Sequence, residues 1–164
     1  IRYQMAERER VNPRERRFVT TQPEPGPDGQ PQRIDPAPIL GVVAALMMES
    51  PTHQHLFLAD MKWLVLPPVM LRQFRLFRQN GHPFAYASWA MLTEEAEARV
   101  KTGQTRLRPD EWTGGDRLWL IDLIAPFGAQ QEIIRDLKDK VFGGKAVKTL
   151  QPAPDGRGVA VVEW

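Results

Sequence analysis

Apolar residues first gather densely at Ile39-Leu40-Gly41-Val42-Val43-Ala44-Ala45-Leu46-Met47-Met48, a run of helix formers that is apolar nearly all round. Such a run predicts a mostly buried helix, and Ser50-Pro51 stops it, because the residue before a proline avoids helical dihedrals. Residues 54–66 are apolar without a clear period, and Pro67-Pro68 predicts a turn. Residues 73–79 and 84–90 flank Asn80-Gly81-His82-Pro83, and Asn-Gly between apolar runs is the strongest short hairpin cue. Thr93 ahead of Glu94, Glu95 and Glu97 supplies a cap and an acidic first turn for a helix over 93–100. Residues 103–115 read as loop, and Arg117-Leu118-Trp119-Leu120-Ile121-Asp122-Leu123-Ile124, closed by Pro126 and Gly128, reads as a buried strand. Ile133, Ile134, Leu137 and Val141 form one stripe of a helix over 129–142, ended by Gly143-Gly144. Two closing strands, 145–151 and 158–163, surround Pro152-Ala153-Pro154-Asp155-Gly156. This order predicts a mixed α/β (α+β) single domain around a mainly antiparallel sheet flanked by helices.

Residues 1–36 differ from the rest. Seven of the fifteen prolines lie by position 38, and Arg8 to Arg17 is a mixed-charge run with few apolar anchors. This stretch reads as a flexible Pro/Arg-rich extension, either an idle tail or a docking arm, preceding a folded domain over 37–164. A chain of 164 residues with 42% apolar and 26% charged residues is long enough for a hydrophobic core and has ordinary globular composition. A net charge of +2 does not call for nucleic acid, and Glu7, Glu9 and Glu15 offset the N-terminal arginines. With no cysteine there is no disulfide, thiolate metal site or cysteine nucleophile. No apolar run reaches the ~20 residues of a membrane span, and the charged, polar first residues are unlike a signal peptide. The expectation is a cytoplasmic setting.

The lone carboxylate in the 117–124 strand, Asp122, is where the chemistry concentrates. A buried ionised Asp is costly unless something pairs with it. Of three histidines, His53 follows the helix stop in Ser50-Pro51-Thr52-His53, and a carboxylate held against an imidazole suggests acid–base work. The structural alternatives are a buried network for Asp122 and a backbone-satisfying role for His53. Strict alternation would put Leu118, Leu120, Asp122 and Ile124 on one face of the strand. His55 has no third ligand at a metal-site spacing, and His82 sits in the hairpin turn. No Gly-x-Ser-x-Gly and no phosphate-binding glycine loop is present. Arg72, Arg75 and Arg78, interleaved with Phe74 and Phe77, read as either a solvated strand face or a basic stripe for an acidic partner.

Leu40-Gly41 leading to Ser50-Pro51-Thr52-His53, then Gly81-His82-Pro83-Phe84-Ala85-Tyr86-Ala87-Ser88-Trp89-Ala90, Glu111-Trp112-Thr113-Gly114-Gly115-Asp116-Arg117 and Ile121-Asp122-Leu123-Ile124-Ala125-Pro126-Phe127-Gly128, resemble the RTX toxin-activating lysine acyltransferases. The resemblance runs in order from about residue 39 to at least 142. It implies a GNAT-like fold, a homodimer, and transfer of a fatty acyl group from acyl carrier protein to internal lysines of an RTX protoxin. The donor is then a co-substrate, with no bound cofactor or metal. The resemblance also places the family's essential histidine at His53 and aspartate at Asp122, with a supporting serine at Ser50. Acyl carrier protein is acidic, so Arg72, Arg75, Arg78 and Arg117 become docking candidates, and the 39–48 helix with Tyr86 and Trp89 becomes the expected acyl groove. Where many relatives carry an asparagine, this chain has Leu64. The alternative within this resemblance is a catalytically silent chaperone that binds the toxin or the carrier.

Overall fold

The computed structural model describes residues 19–21 and 34–164. Six strands, β1 (Val19–Thr21), β2 (Phe74–Gln79), β3 (His82–Leu92), β4 (Arg117–Ile124), β5 (Lys148–Pro152) and β6 (Val159–Glu163), form one sheet in sequential order. Every neighbouring pair is antiparallel except β4 and β5, which run parallel and meet at Trp119 and Lys148. A parallel pair needs a crossover, and α5 (Gln130–Lys140) supplies it. The expected mixed α/β domain, mainly antiparallel and flanked by helices, is therefore what the chain forms. Of residues 1–36, Val19–Thr21 forms the edge strand and pairs with β2. Residues 1–18 and 22–33, and with them most of the stretch read as a flexible extension, lie outside the described residues.

Helices cover both faces. On one face α5 packs Ile133, Ile134 and Leu137 against Phe77, Ala85, Ala87, Trp89 and Leu120. On the other, α1 (Ala37–Met48), α2 (Met61–Leu64) and α3 (Leu66–Met70) pack Val43, Leu46, Leu64, Val65 and Val69 against Phe74, Leu76, Tyr86 and Ile124. Further along that face, α4 (Glu94–Lys101) covers Ala90, Leu92 and Trp119 with Ala96 and Val100. The Thr93 side chain accepts from the Ala96 N–H, as the sequence anticipates for the α4 cap. Pro67 and Pro68 do not make a simple turn. They occupy the first turn of α3, where a missing N–H costs nothing and the fixed φ is already helical. Gly115 is required sterically, because a Cβ there would stand 2.1 Å from the Leu92 carbonyl oxygen.

The parallel junction is tied by a buried carboxylate. Glu97 of α4 accepts from the Trp119 indole of β4 (2.9 Å) and the Lys148 ammonium of β5 (2.8 Å), with Lys101 (3.1 Å) and Arg117 (3.2 Å) alongside. Burial alone would push its pKa up, but the hydrogen bonds from Lys148, Trp119 and Lys101 together outweigh that and hold it down at about 2. Glu111, clasped by Arg99, is held at about 2 as well. A carboxyl lowered in the folded state adds stability above its unfolded pKa and loses it as pH falls toward the folded value. Melting temperature should therefore fall steeply from about pH 4.5 toward pH 2. Glu97→Gln should melt lower at neutral pH and show a shallower acid limb in a thermal series over that window.

Candidate active site

His53 is delivered by the end of α1. Pro51 bars further helix, and the chain turns tightly, with the His53 and Gln54 N–H groups both donating to the Ser50 carbonyl (3.0 and 2.9 Å). Asp122 is delivered by an irregularity in β4. Ser88 of β3 pairs with Asp122 while Trp89 pairs with Leu120, so Ile121 is an extra residue in the ladder. A one-residue bulge reverses the facing of everything beyond it. Leu118 and Leu120 pack with α5, whereas Ile124 packs under α1. The strict alternation that grouped Leu118, Leu120, Asp122 and Ile124 on one face is thus corrected: Asp122 and Ile124 face α1.

There His53 Nε2 and Asp122 Oδ1 stand 2.9 Å apart, with side chains 13% and 10% exposed. A carboxylate can only accept, so the ring proton is on Nε2. In the neutral ring Nδ1 is then the acceptor nitrogen, and it faces two hydroxyls, Ser50 Oγ at 2.7 Å and Thr52 Oγ1 at 2.9 Å, themselves 3.1 Å apart. Ser50 is buried and Thr52 exposed, so substrate can reach Nδ1 from the Thr52 side.

Beside His53 opens an apolar cleft of about 200 Å³, lined by Ala44, Met47 and Met48 of α1 and by Leu56, Phe57 and Met61. Its outer wall is braced by Asp60, which accepts from the Phe57 N–H and the Trp63 indole, both at 2.9 Å. Those two bonds, the indole's foremost, hold the Asp60 pKa below the usual carboxylate value. Arg106 lies over the Trp63 ring, 5.6 Å from its centre. Of the residues expected to line a groove, the 39–48 helix lines this cleft and Tyr86 and Trp89 do not. The α1 side is present, but Tyr86 is fully buried and Trp89 packs with Phe142 on the opposite face.

The four arginines do not share one surface. Alternation along β2 sets Arg75 and Arg78 on opposite faces. Arg75 pairs across from Ala87 on the α5 side, where burial pulls its pKa down against the opposing charge of Asp136. Arg72 precedes β2 with φ of 59°. Arg78 donates to the Gly81 carbonyl (3.2 Å), and Arg117 is engaged by Glu94, Glu97 and Asp116. Leu64 lies buried under α1. Among the described residues no group of three His, Asp or Glu is placed to hold a metal, and no helix is long and apolar enough to cross a membrane. Sequence reasoning passed over Thr52, Ser88 and the 56–61 wall. For Ser88 the signal was available: it is the one aliphatic hydroxyl between buried apolar neighbours in Ala85-Tyr86-Ala87-Ser88-Trp89-Ala90, an anomaly like the one that singles out Asp122.

An imidazole hydrogen-bonded to a half-buried carboxylate beside an apolar cleft is an arrangement that can do acid–base chemistry next to a hydrocarbon group. The family model of the RTX toxin acyltransferases (HlyC) matches residues 32–164, and the chain belongs to that family. It is similar to the RTX-I toxin-activating lysine-acyltransferase ApxIC of Actinobacillus pleuropneumoniae, 35% identical over 133 residues that span 81% of this chain and 77% of the relative. It is also similar to the lysine-acyltransferase RtxC of Vibrio cholerae (30% over 133 residues; 77% and 87%) and the protein-lysine myristoyltransferase HlyC of Escherichia coli (37% over 105 residues; 64% and 62%). The protein is an acyltransferase by family.

The tautomer is directly measurable. ¹⁵N NMR of the neutral His53 ring should show a protonated Nε2 and a bare Nδ1. Asp122→Asn, whose amide can donate to Nε2, should move the proton to Nδ1; an unchanged tautomer would mean that Asp122 does not set it.

Proposed function

We propose that this protein transfers a fatty acyl group from acyl carrier protein to the ε-amine of an internal lysine in an RTX protoxin, with His53 as general base and Asp122 as its orienting partner. The observation that carries this reading is the His53–Asp122 hydrogen bond at the mouth of the apolar cleft. A lysine has a reference pKa of about 10.4 and enters as the minority neutral amine. Its nitrogen attacks the thioester carbonyl, and His53 Nδ1 takes the proton that the new C–N bond makes acidic. Asp122 stabilises the resulting imidazolium through Nε2. The tetrahedral centre then collapses, the C–S bond breaks, and the imidazolium returns its proton to the departing thiolate. A base so placed contributes roughly 10²–10⁴-fold. Ser50 serves here as a hydroxyl holding the ring through Nδ1; being buried, it is poorly placed to become an acyl carrier itself.

The cleft takes the acyl chain. A dry cavity of ~150 Å³ holds a benzene molecule, so about 200 Å³ accommodates about eight carbons. A myristoyl chain therefore extends beyond the cleft, past the rim where Phe57 and Leu58 are 79% and 80% exposed. A silent chaperone would need no such dyad beside the cleft, and the assembled His53–Asp122 pair favours catalysis.

Incubation with long-chain acyl carrier protein and a lysine-bearing protoxin fragment should add the acyl mass to the fragment, read by intact-mass spectrometry. His53→Ala and Asp122→Asn should each lose this by at least about 10²-fold. Binding of either partner without any mass increment would establish the silent chaperone instead. Ala44→Phe, which fills the cleft, should cost long-chain donors at least about tenfold in kcat/KM, since each displaced CH₂ is worth ~0.8 kcal/mol. Octanoyl donors should lose less, and an equal loss for both lengths would place the chain elsewhere.

A further inference from the structure

Three buried polar atoms lie around the dyad on the α1 face of the sheet without a hydrogen-bond partner of good geometry: Tyr86 Oη, Ser88 Oγ and Asp122 Oδ2. Tyr86 and Ser88 are both fully buried, and Ser88 stands directly across the ladder from Asp122. Side chains so opposed have Cβ atoms about 5 Å apart, within reach of a hydroxyl and a carboxylate. Alternation along β3 puts Tyr86 on the same face, one pleat from Ser88.

The chemistry of the three is complementary. Asp122 uses Oδ1 for His53, leaving Oδ2 as a buried, charged acceptor, which is more costly to leave unpaired than a neutral one. Ser88 and Tyr86 are hydroxyl donors whose hydrogens rotate to suit an acceptor. The phenol senses both neighbours: burial foremost, then the Asp122 charge, push its pKa above its usual value, while the Ser88 hydroxyl opposes them. It therefore stays protonated and able to donate.

We propose that Ser88 is a positioning residue for acyl transfer. Its hydroxyl, backed by the Tyr86 phenol, donates to Asp122 Oδ2 and fixes the carboxylate plane, so that Oδ1 stays in line with His53 Nε2. This rests on the dyad reading above. The role is that of an outer hydrogen-bond partner, a class that contributes roughly 10–100-fold where it orients a working group.

The test is a double-mutant cycle on the transfer assay, with KM and melting temperature measured for every variant. Ser88→Ala should lower kcat by about tenfold with KM unchanged and a melting temperature lowered but still above that of the assay, and Ser88→Thr, which keeps the hydroxyl, should restore most of the rate. In Ser88→Ala/Asp122→Asn the serine substitution should add nothing to the loss from Asp122→Asn, because the hydroxyl acts only through the carboxylate. Unchanged kcat in Ser88→Ala, or losses that multiply in the double variant, would overturn the proposal. If Ser88→Ala melts below the assay temperature, Tyr86→Phe takes its place in the same cycle under the same criteria. An Asp122→Asn enzyme with full activity would instead overturn the dyad itself, so the two failures are distinguishable.

Discussion

The site depends on one extra residue in β4. Without Ile121 intruding between the Leu120–Trp89 and Asp122–Ser88 pairs, strict alternation would send Asp122 to the α5 face, among Leu120, Ile133 and Leu137. A carboxylate there would be set among apolar side chains and turned away from His53, a costly placement unless another group paired with it. The bulge turns it instead toward the end of α1, where His53 waits 2.9 Å away. Core and site are therefore one construction. The leucines before the bulge anchor α5, Ile124 beyond it anchors α1, and the reversal between them aims the only carboxylate of the strand at the only histidine within reach of it.

The second contributor is the abrupt end of α1. Its last turn carries Met47 and Met48 into the wall of the cleft, and its proline stop throws Ser50, Thr52 and His53 into a tight turn. One helix thus supplies the apolar hollow and, within six residues, the base. The sheet contributes only the orienting carboxylate. This division brings the ring and the carboxylate together at the edge of the cleft, with side chains 13% and 10% exposed.

Much of this was legible in the sequence because the signals were local. Asn80-Gly81 marked the hairpin, Thr93 and the glutamates marked α4, and the Ile133-Ile134-Leu137 stripe marked α5. His53 and Asp122 stood out because a charge in an apolar strand demands a partner. What could not be read were features set by pairing between distant segments. A bulge has no sequence mark when the extra residue is an isoleucine like its neighbours, so the face of Asp122 was misassigned. Pro67-Pro68 has the same local meaning at a turn and at a helix start, and only the packing of Val65 and Val69 decides for α3. Tyr86 and Trp89 looked available to a ligand because aromatic residues suit both grooves and cores; the layers on both faces of β3 put them in cores. Arg75 and Arg78 looked like one stripe, and three residues of strand spacing set them on opposite faces.

The same burial that orders the dyad also leaves it incompletely satisfied. Elsewhere the fold surrounds its buried carboxylates fully: Glu97 has an indole and two ammonium groups, and Glu111 has a guanidinium fork. Asp122, by contrast, holds one good bond and has an unpaired oxygen, with two unpaired hydroxyls close by. The contrast is informative because all three carboxylates lie in one small domain under the same packing rules. Under the proposed mechanism this difference has a use, because a carboxylate that stabilises an imidazolium keeps more of its attraction for the ring when no other cation shares it. Neutral hydroxyls are the donors that fit such a mechanism, since they would fix the orientation of Asp122 without cancelling the charge proposed to act on His53.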